Sequence, residues 1–507
     1  MPYAEVTMPS IWGSGLVIQR DMPVTVWGWA EPGEPVTVTL ASNSSSVKAG
    51  EDGAWITSLP SMKAGGPFVM TVQGKNTLEI NDILVGEVWL CSGQSNMQWS
   101  IGAAQNAAVE VAAADYPEIR LFHIPRVTAG TPQNNVDAQW RHCTPDNTTA
   151  SFSAVAYFFG RELYCELGVP IGLINSSWGG TRIEPWTPPV GFAAVPSLSD
   201  FVTRIEKANT DYKSAVAGMP DKYRTWEKGA RKELKKGDGV GNPPAWPHHE
   251  LNRHTQPTGL YNAMIHPIVP FAIRGAIWYQ GESNRMDGYI YRDKMEALIK
   301  GWRTVFQNPG FAFYYVQLAP YRYRASGRPQ NRLNDLHPYA LPVIWDAQRD
   351  ALDISGTGMA VTTDIATVDD IHPRNKQDVG YRLALWALAK NYGRSNIEYS
   401  GPLYKSMSVR AGKAVLTFDH VGDGLSTNDG EVPSWFQIAG SDRRFYPADA
   451  KIEGGMIEVS NDRVSQPVAV RFGWHEEAMP NLINSAGLPA SPFRTDDWEY
   501  WMESYEE

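Results

Sequence analysis

Ser95 lies in a short polar turn that directly follows a run of apolar residues. Residues 88–91 read as a buried strand, and Gly93 permits a close backbone approach that a side chain would block. The carboxyl end of a strand is where open α/β sheets bind their ligands. A serine hydroxyl becomes a useful nucleophile only when a base removes its proton, another group orients that base, and donors meet the oxyanion. The chain contains candidates for each of these parts.

A candidate base and a candidate orienting acid occur together in the segment Val368-Asp-Asp-Ile-His-Pro373. His372 follows a predicted strand and precedes a predicted helix over residues 376–392, so we expect it at the same sheet edge as Ser95. Asp369, three residues before the histidine, can accept a hydrogen bond from the imidazole, and Asp370 is the competing acid. The sequence leaves both aspartates open.

Two further turns follow predicted strands and offer donors for an oxyanion. The turn over residues 175–181 contains Gly179 and Gly180, whose small size leaves backbone amides free to point at an anion. The turn over residues 278–284 contains Gln280 and Asn284, whose side-chain amides can donate without adding charge. Each turn alone is consistent with ordinary loop chemistry. Four polar turns at the strand ends of one sheet favour a hydrolase site.

The elements that must position these turns alternate between strands and helices, which predicts a three-layer α/β/α domain with a parallel sheet over residues 81–395. Strand-rich segments on either side predict β-sandwich-like domains at 1–80 and 396–507. A charged, helix-prone insertion is predicted at about 188–256, either as a solvated excursion or as a lid over the site. The predicted strands of the central sheet are 87–91, 119–124, 171–175, 275–279, 311–317 and 359–363.

Composition excludes several other classes of function. The formal charge of -10, from 45 basic and 55 acidic residues, argues against a nucleic-acid partner. The three cysteines form no C-x-x-C pair, and the histidines at 248, 249 and 254 lack a helical H-x-x-x-H register, so no metal site is predicted. Apolar runs long enough to span a bilayer are absent, which predicts no membrane partner, and the first residues lack the pattern of a signal peptide.

The residues around Ser95 do not fit the G-x-S-x-G elbow of α/β-hydrolases, because Asn96 and Met97 follow the serine. The order of the serine first and the aspartate and histidine last instead resembles the SGNH (GDSL-like) hydrolases. Within that superfamily the chain resembles the sialate O-acetylesterase family of carbohydrate esterases. The segments that match are Gly93-Gln-Ser-Asn-Met97, Ser177-Trp-Gly-Gly-Thr181, Leu260-Tyr-Asn-Ala-Met264, Trp278-Tyr-Gln-Gly-Glu-Ser-Asn284 and Asp370-Ile-His-Pro-Arg-Asn-Lys376.

The resemblance implies deacetylation of O-acetylated sugars, such as sialic acid or plant xylan and xyloglucan, without a cofactor or metal. It implies that Ser95 is the nucleophile and His372 the base. The Gly-x-Asn-Asp turn of the SGNH superfamily is here Gly281-Glu-Ser-Asn, so Gln280 becomes the preferred side-chain donor beside the Gly180 amide. It also suggests a periplasmic or secreted location. The side chains expected to bind the sugar are those of Trp99, Trp178, Arg182, Trp186 and Glu282.

A different class of function also accounts for some of these features. The chain has 19 tryptophans, and a non-catalytic carbohydrate-binding protein would use such rings, with the two β-domains, as stacking surfaces. That alternative leaves the serine, histidine, aspartate and amide set without a role. The sequence predicts no oligomeric state.

Overall fold

The computed structural model describes residues 5–323 and 339–498. Its central sheet has the strand order β13-β12-β11-β7-β10-β8-β9, in which the pairings are parallel except that between β8 and β9. This confirms the predicted α/β class. The strands up to β13 are Val17–Gln19 (β1), Val24–Trp29 (β2), Pro35–Leu40 (β3), Asn43–Lys48 (β4), Ala54–Leu59 (β5), Gly65–Gln73 (β6), Thr77–Gly93 (β7), Tyr116–His123 (β8), Trp140–Cys143 (β9), Ile171–Ser177 (β10), Gly275–Tyr279 (β11), Ala312–Val316 (β12) and Thr357–Ala360 (β13).

The helices lie mainly between the strands of the central sheet. Ser153 caps the start of the fourth helix by accepting a hydrogen bond from the Ala156 amide, and Gly168 ends that helix with φ +60°. The helices are Ser95–Gln98 (α1), Ala107–Ala112 (α2), Asn147–Ser151 (α3), Ala154–Leu167 (α4), Pro189–Ala193 (α5), Ser199–Ala217 (α6), Met219–Lys236 (α7), Ile290–Val305 (α8), Ala340–Asp350 (α9) and Lys376–Lys390 (α10).

The strand β7 joins the N-terminal β-region to the central sheet. It has 17 residues; its first half pairs with β6 and β1, and its second half pairs with β10 and β11. Burial alternates along the first residues and becomes continuous from residue 83 to Gly93, as expected when a strand passes from a one-sided sheet into a two-sided parallel sheet. The domain boundary predicted at residue 80 therefore falls inside a strand. The strand that leads to Ser95 is held by two sheets.

Antiparallel sheets form the C-terminal region, with orders β14-β15-β20-β19 and β18-β17-β21-β23 and the pair β16-β22. This region has a hydrophobic core of its own and is fastened to the central domain where Gln317 donates to the Ser491 hydroxyl at 3.0 Å. Residues 499–507 of the predicted domain lie outside the described residues. The strands are Leu403–Arg410 (β14), Lys413–Asp419 (β15), Leu425–Thr427 (β16), Phe436–Ala439 (β17), Phe445–Pro447 (β18), Asp449–Glu453 (β19), Met456–Ser460 (β20), Ala469–Phe472 (β21), Leu482–Asn484 (β22) and Phe493–Arg494 (β23).

The segment predicted as an insertion contains α5, α6 and α7 and returns through an extended stretch to residue 256. Most residues of α6 and α7 are exposed or half-buried, which fits a solvated excursion. The described residues contain no group of three or more metal-binding side chains and no helix long and apolar enough to cross a membrane.

Candidate active site

Ser95 begins α1 immediately after the central strand β7. The neighbours of β7 are β10 on one side and β11 on the other, and the chain order reverses at this point of the sheet. A crevice at such a reversal, outside the carboxyl ends of the strands, is the usual ligand site of an open α/β sheet. The turns that follow β10 and β11 therefore flank the serine, as the sequence predicted.

Two glycines let these turns approach Ser95 closely. A Cβ on Gly93, which has φ +143°, would lie 2.2 Å from the Tyr279 carbonyl oxygen at the end of β11. A Cβ on Gly179, in the turn after β10, would lie 3.2 Å from Ser95 Cβ. The Gly179 amide donates to Gln98 Oε1 on α1 at 2.7 Å, which fixes this turn against the serine helix.

The next residue, Gly180, lies at the open edge of the same turn. It is exposed, has φ +74°, and has no atom within 4 Å of the position a Cβ would take. The structure thus leaves free space beside Gly180, one residue from the glycine that packs on Ser95.

The imidazole of His372 is held against the same short helix. Its ring stacks on Trp99, with ring centroids 4.9 Å apart and planes inclined by 16°. Trp99 directly follows α1, and its indole N–H donates to the Ala103 carbonyl at 2.9 Å. One four-residue helix therefore carries Ser95 at its start and the ring that supports His372 at its end.

The two candidate acids have different surroundings. Asp370 Oδ1 accepts a hydrogen bond from the His372 backbone N–H at 2.9 Å, so this carboxylate is part of the histidine turn. Asp369 is mostly exposed and pairs with Arg322 at 2.7 Å, and Arg322 also pairs with Glu477 of the C-terminal region at 3.1 Å. Burial lowers the pKa of His372, the Lys376 ammonium lowers it further, and the Asp370 carboxylate opposes both effects. Asp370 therefore contacts His372 directly, whereas Asp369 is paired with Arg322.

Gln280 and Asn284 lie in a buried scaffold beneath the turns. The Gln280 amide nitrogen has three acceptors within 3.1 Å, Gln94 Oε1, Thr181 O and Asn284 Oδ1, for its two hydrogens. The Asn284 amide nitrogen donates to carboxylate oxygens of Glu184 at 3.1 Å and Asp287 at 2.7 Å. Neither side chain is exposed to solvent. The structure does not support the oxyanion role predicted for them, because their donors are already used.

The predicted sugar-binding side chains differ in how far they are exposed to solvent. Trp186 and Glu282 are buried, and the Trp186 indole donates to the Thr181 hydroxyl at 3.0 Å, so substrate contact is not supported for either. Arg182 is held by ion pairs with Glu184 at 3.0 Å and Asp287 at 2.6 Å, although its side chain is 41% exposed.

Trp99 and Trp178 are half-buried and remain available at the surface. Trp178 stacks on the exposed His254 ring with centroids 5.2 Å apart, and the Arg126 guanidinium lies 6.0 Å from the same indole. Trp178, which carries this aromatic surface, directly precedes Gly179 in the chain.

Asn96, which follows Ser95, connects three parts of the site. Its side-chain nitrogen donates to Glu282 Oε1 at 2.6 Å and to the Ile371 carbonyl at 3.0 Å, and its side-chain oxygen accepts from Lys376 Nζ at 2.6 Å. The serine helix is thereby tied to the turn after β11, to the histidine loop and to the first turn of α10.

The charged members of this network are deeply buried. Burial lowers the pKa of Lys376 to about 7, while Glu282 and Asp370 oppose that change. Burial raises the pKa of Glu282, while Asn96 and Lys376 oppose it. Glu282 Oε2 has no hydrogen-bond partner among the described residues. A lysine, an amide and a carboxyl group thus share one buried region next to Ser95 in the chain.

Sequence reasoning missed the roles of Asn96, Gln98, Lys376 and Arg322. Asn96 and Lys376 lie inside matched motifs, but they are 280 residues apart, and no spacing rule pairs them. A capping signal does place Lys376, because the Asn375 side chain accepts from the Asp378 amide and fixes where α10 begins.

Comparison with known proteins identifies the family of the chain. A family model described as "Carbohydrate esterase, sialic acid-specific acetylesterase" matches residues 85–219 and 244–384. Sialate O-acetylesterases of Mus musculus and Homo sapiens are 33% and 31% identical to the chain, cover 94% of it, and are themselves covered over 92% and 90% of their length. The crystal structure of a carbohydrate acetylesterase from Xanthomonas citri matches with a TM-score of 0.80 and 38% identity, over 97% of this chain and 100% of that chain.

The matched residues include Ser95, Gly180 and His372, and they run from residue 85 in β7 to residue 384 in α10. The gap in the match, residues 220–243, contains most of α7 and the first seven residues after it. The chain therefore belongs to the sialic acid-specific acetylesterase family of carbohydrate esterases.

Proposed function

We propose that the protein hydrolyses O-acetyl esters of carbohydrates with Ser95 as nucleophile, His372 as general base and Asp370 as the acid that steadies the histidine loop. The observation that carries this assignment is the short helix α1, which begins with Ser95 and ends at the tryptophan on which His372 stacks. Asp370 takes the third role because it binds the histidine's own backbone, whereas Asp369 is engaged by Arg322.

The reaction proceeds in two acyl-transfer steps. Ser95 Oγ attacks the acetyl carbonyl carbon as His372 accepts the hydroxyl proton, and the tetrahedral oxyanion collapses when the sugar oxygen leaves with that proton. A water molecule then attacks the acetyl-serine, His372 again accepts a proton, and acetate leaves as Ser95 Oγ regains its hydrogen. The products are the free sugar hydroxyl and acetate.

Backbone amides stabilise the oxyanion in this proposal. The Ser95 amide lies at the start of α1, and Gly180 lies in the turn that packs on the serine through Gly179. Backbone donors of this kind are held rigidly and need no reorganisation when charge develops. Because Gln280 and Asn284 are committed to buried acceptors, they support the turns and do not contact the substrate.

The depressed pKa of His372 fits a general base. Burial and the nearby Lys376 ammonium disfavour the imidazolium, so the ring is neutral and able to accept a proton at neutral pH. Activity should fall at acidic pH as the ring becomes protonated.

The substrate class in this proposal is an O-acetylated carbohydrate, bound beside the Trp178 and His254 rings. Flat rings at the edge of a site are suited to the apolar face of a sugar. A panel of acetylated sialic acid, acetylated xylan and acetylated xyloglucan, assayed for released acetate, separates the candidate glycans. A periplasmic or secreted location stays a prediction.

The test of the function is the substitution Ser95→Ala, with Ser100→Ala as a matched control five residues along the chain. We expect Ser95→Ala to lose acetate release from 4-nitrophenyl acetate and from acetylated glycan while its circular dichroism spectrum is unchanged. The control should keep wild-type turnover. Full activity in Ser95→Ala would overturn the assignment, and glycan binding without acetate release by the wild type would favour a carbohydrate-binding protein.

A further inference from the structure

A cavity lies between the loop that follows β8 and the returning part of the insertion. Its volume is about 500 Å³, within the range of small-molecule sites. One wall is the loop over residues 125–137, which follows β8 at the carboxyl edge of the central sheet, and the other is the returning part of the insertion, residues 246–252. The proposed reaction assigns no role to it.

Specific contacts hold the two walls together. The Thr128 hydroxyl donates to Asn252 Oδ1 at 2.7 Å, and the Ala129 amide donates to the Gly259 carbonyl at 3.1 Å. Gly130 packs so closely on His249 that a Cβ would lie 2.2 Å from the imidazole Cγ. The cavity is therefore built by the fold in advance of any ligand.

Residues next to both walls contact Trp178, which directly precedes the glycine that packs on Ser95. Arg126, which lies between the lining residues Pro125 and Val127, approaches the Trp178 ring, and His254, two residues beyond the lining residue Asn252, stacks on that ring. Trp178 is followed by Gly179, which packs on Ser95. A chain of sugars with its acetyl group at Ser95 can thus extend along the Trp178 surface into the cavity.

The lining has the chemistry of a neutral sugar site. Trp246 is 58% exposed and, with Tyr212, offers aromatic faces for the apolar side of a pyranose. Gln133 and Asn135 are half engaged: Asn135 Oδ1 accepts from the Ser10 and Val136 amides at 2.8 Å, and Gln133 Nε2 donates to the Thr131 carbonyl at 2.9 Å. The Asn135 side-chain nitrogen and the Gln133 side-chain oxygen, which have no partner among the described residues, can donate to and accept from sugar hydroxyls.

Charge in the lining argues against an anionic sugar. Among the described residues that form the cavity, none is an arginine or lysine, and Asp137 is the carboxylate present. Burial lowers the pKa of His249, which keeps that imidazole neutral. A carboxylate on the ligand would meet a like charge from Asp137 without a compensating cation from the lining.

We propose that this cavity is a subsite for a neutral pyranose residue of the same glycan whose acetyl ester is cleaved at Ser95. The inference rests on the proposed function and goes beyond it, because it assigns the substrate as a neutral oligosaccharide. The subsite binds through Trp246 stacking and amide hydrogen bonds, and it contributes to affinity for chains long enough to reach it.

The experiment compares Trp246→Ala with Trp435→Ala, an exposed tryptophan of the C-terminal region that is 42% exposed. Substrates are 4-nitrophenyl acetate, an acetylated neutral monosaccharide, and an acetylated neutral oligosaccharide of the xylan or xyloglucan type. We expect Trp246→Ala to raise KM for the oligosaccharide about 5- to 10-fold without changing kcat, as loss of one aromatic contact predicts. Trp246→Ala should keep wild-type KM and kcat on the two small substrates. Trp435→Ala should keep wild-type KM and kcat on all three substrates.

Binding of the same oligosaccharide to Ser95→Ala, measured by calorimetry, gives a readout independent of turnover. We expect the double variant Ser95→Ala with Trp246→Ala to bind it more weakly by the same factor. The subsite would be overturned if Trp246→Ala and wild type had equal KM values on the oligosaccharide. It would also be overturned if Trp246→Ala raised KM by the same factor on an acetylated sialic acid. Failure of the proposed function is distinguishable, because it would remove the serine dependence of 4-nitrophenyl acetate hydrolysis, which the cavity does not affect.

Discussion

The Lys376 ammonium donates a 2.6 Å hydrogen bond to the side-chain oxygen of Asn96, the residue that follows the nucleophile. Through this bond the start of α10 is fastened to the helix that carries Ser95. Asn96 in turn binds the Ile371 carbonyl at 3.0 Å, next to His372 in the chain. A buried side-chain amide therefore ties the helix that carries Ser95, the proposed nucleophile, to the loop that carries His372, the proposed base.

Removing that amide should misplace the two groups relative to each other. We expect Asn96→Ala to lower kcat by about 10- to 100-fold with a small change in KM, because small displacements of reacting groups cost rates of that order. The melting temperature should also fall, since Lys376 and Glu282 lose a buried partner. Asn242→Ala, at an exposed position of the insertion, is the control. An unchanged kcat in Asn96→Ala would show that the amide positions nothing.

The charge of Lys376 should be visible in the pH dependence of catalysis. This ammonium lowers the pKa of His372, after the larger effect of burial. Lys376→Met removes the charge, so the pKa of His372 rises and the acidic limb of the kcat/KM profile moves to higher pH. The measurement is the pH profile of 4-nitrophenyl acetate hydrolysis. Lys390→Met, at the exposed end of the same helix, should leave the profile in place, and a shift to lower pH in Lys376→Met would contradict the electrostatic account.

The two adjacent aspartates should differ sharply when neutralised. Asp370→Asn is expected to lower kcat by about 10⁴-fold, the loss typical of a triad aspartate. Asp369→Asn breaks an exposed ion pair with Arg322 and should change kcat less than about 3-fold, since such pairs are worth little. Steady-state kinetics of both purified variants decide the matter. A larger loss in Asp369→Asn would reassign the acid.

We expect Gln280 to stabilise the folded protein rather than to donate to the oxyanion. Its amide joins Thr181, Asn284 and Gln94, and its side-chain oxygen accepts from the Tyr291 hydroxyl at 2.8 Å. Gln280→Ala should lower the melting temperature, because several buried groups lose partners. The kcat of the folded fraction should fall by less than the roughly 10²- to 10³-fold loss that follows removal of an oxyanion donor. A loss of that size at an unchanged melting temperature would restore the oxyanion role.

Local sequence patterns predict the central sheet of this chain well. Continuous apolar runs bounded by Gly or polar turns mark β7, β10 and β11, and parallel strands with helical connections place the turns after all three at one edge of the sheet. The order β11-β7-β10, which puts Ser95 between the other two turns, comes from the structure. His372 could be placed at the same sheet edge for the same reason. The strand β7 is longer than predicted, because the pattern changes at residue 83 from one-sided to two-sided burial without any turn signal.

Side-chain partners could not be predicted from such patterns. Gln280 has the right chemistry for an oxyanion donor, and only the three acceptors around it show that it is occupied. The choice between Asp369 and Asp370 depends on Arg322, which is 47 residues from Asp369. Trp186 has the residue type of a sugar platform, but its ring is buried. These outcomes depend on contacts between distant segments, for which neither periodicity nor turn chemistry carries information.

In the proposed reaction, Ser95 Oγ takes the acetyl group from the substrate and passes it to water. Rapid-quench mass spectrometry of the protein mixed with 4-nitrophenyl acetate at neutral pH tests it most directly, because an acid quench protonates His372 and stops hydrolysis of acetyl-serine that has already formed. We expect one added acetyl group, located after digestion on the peptide that contains Ser95, and we expect none on Ser95→Ala. Acetate release with no acetylated Ser95 peptide, or with the acetyl group on another residue, would contradict it.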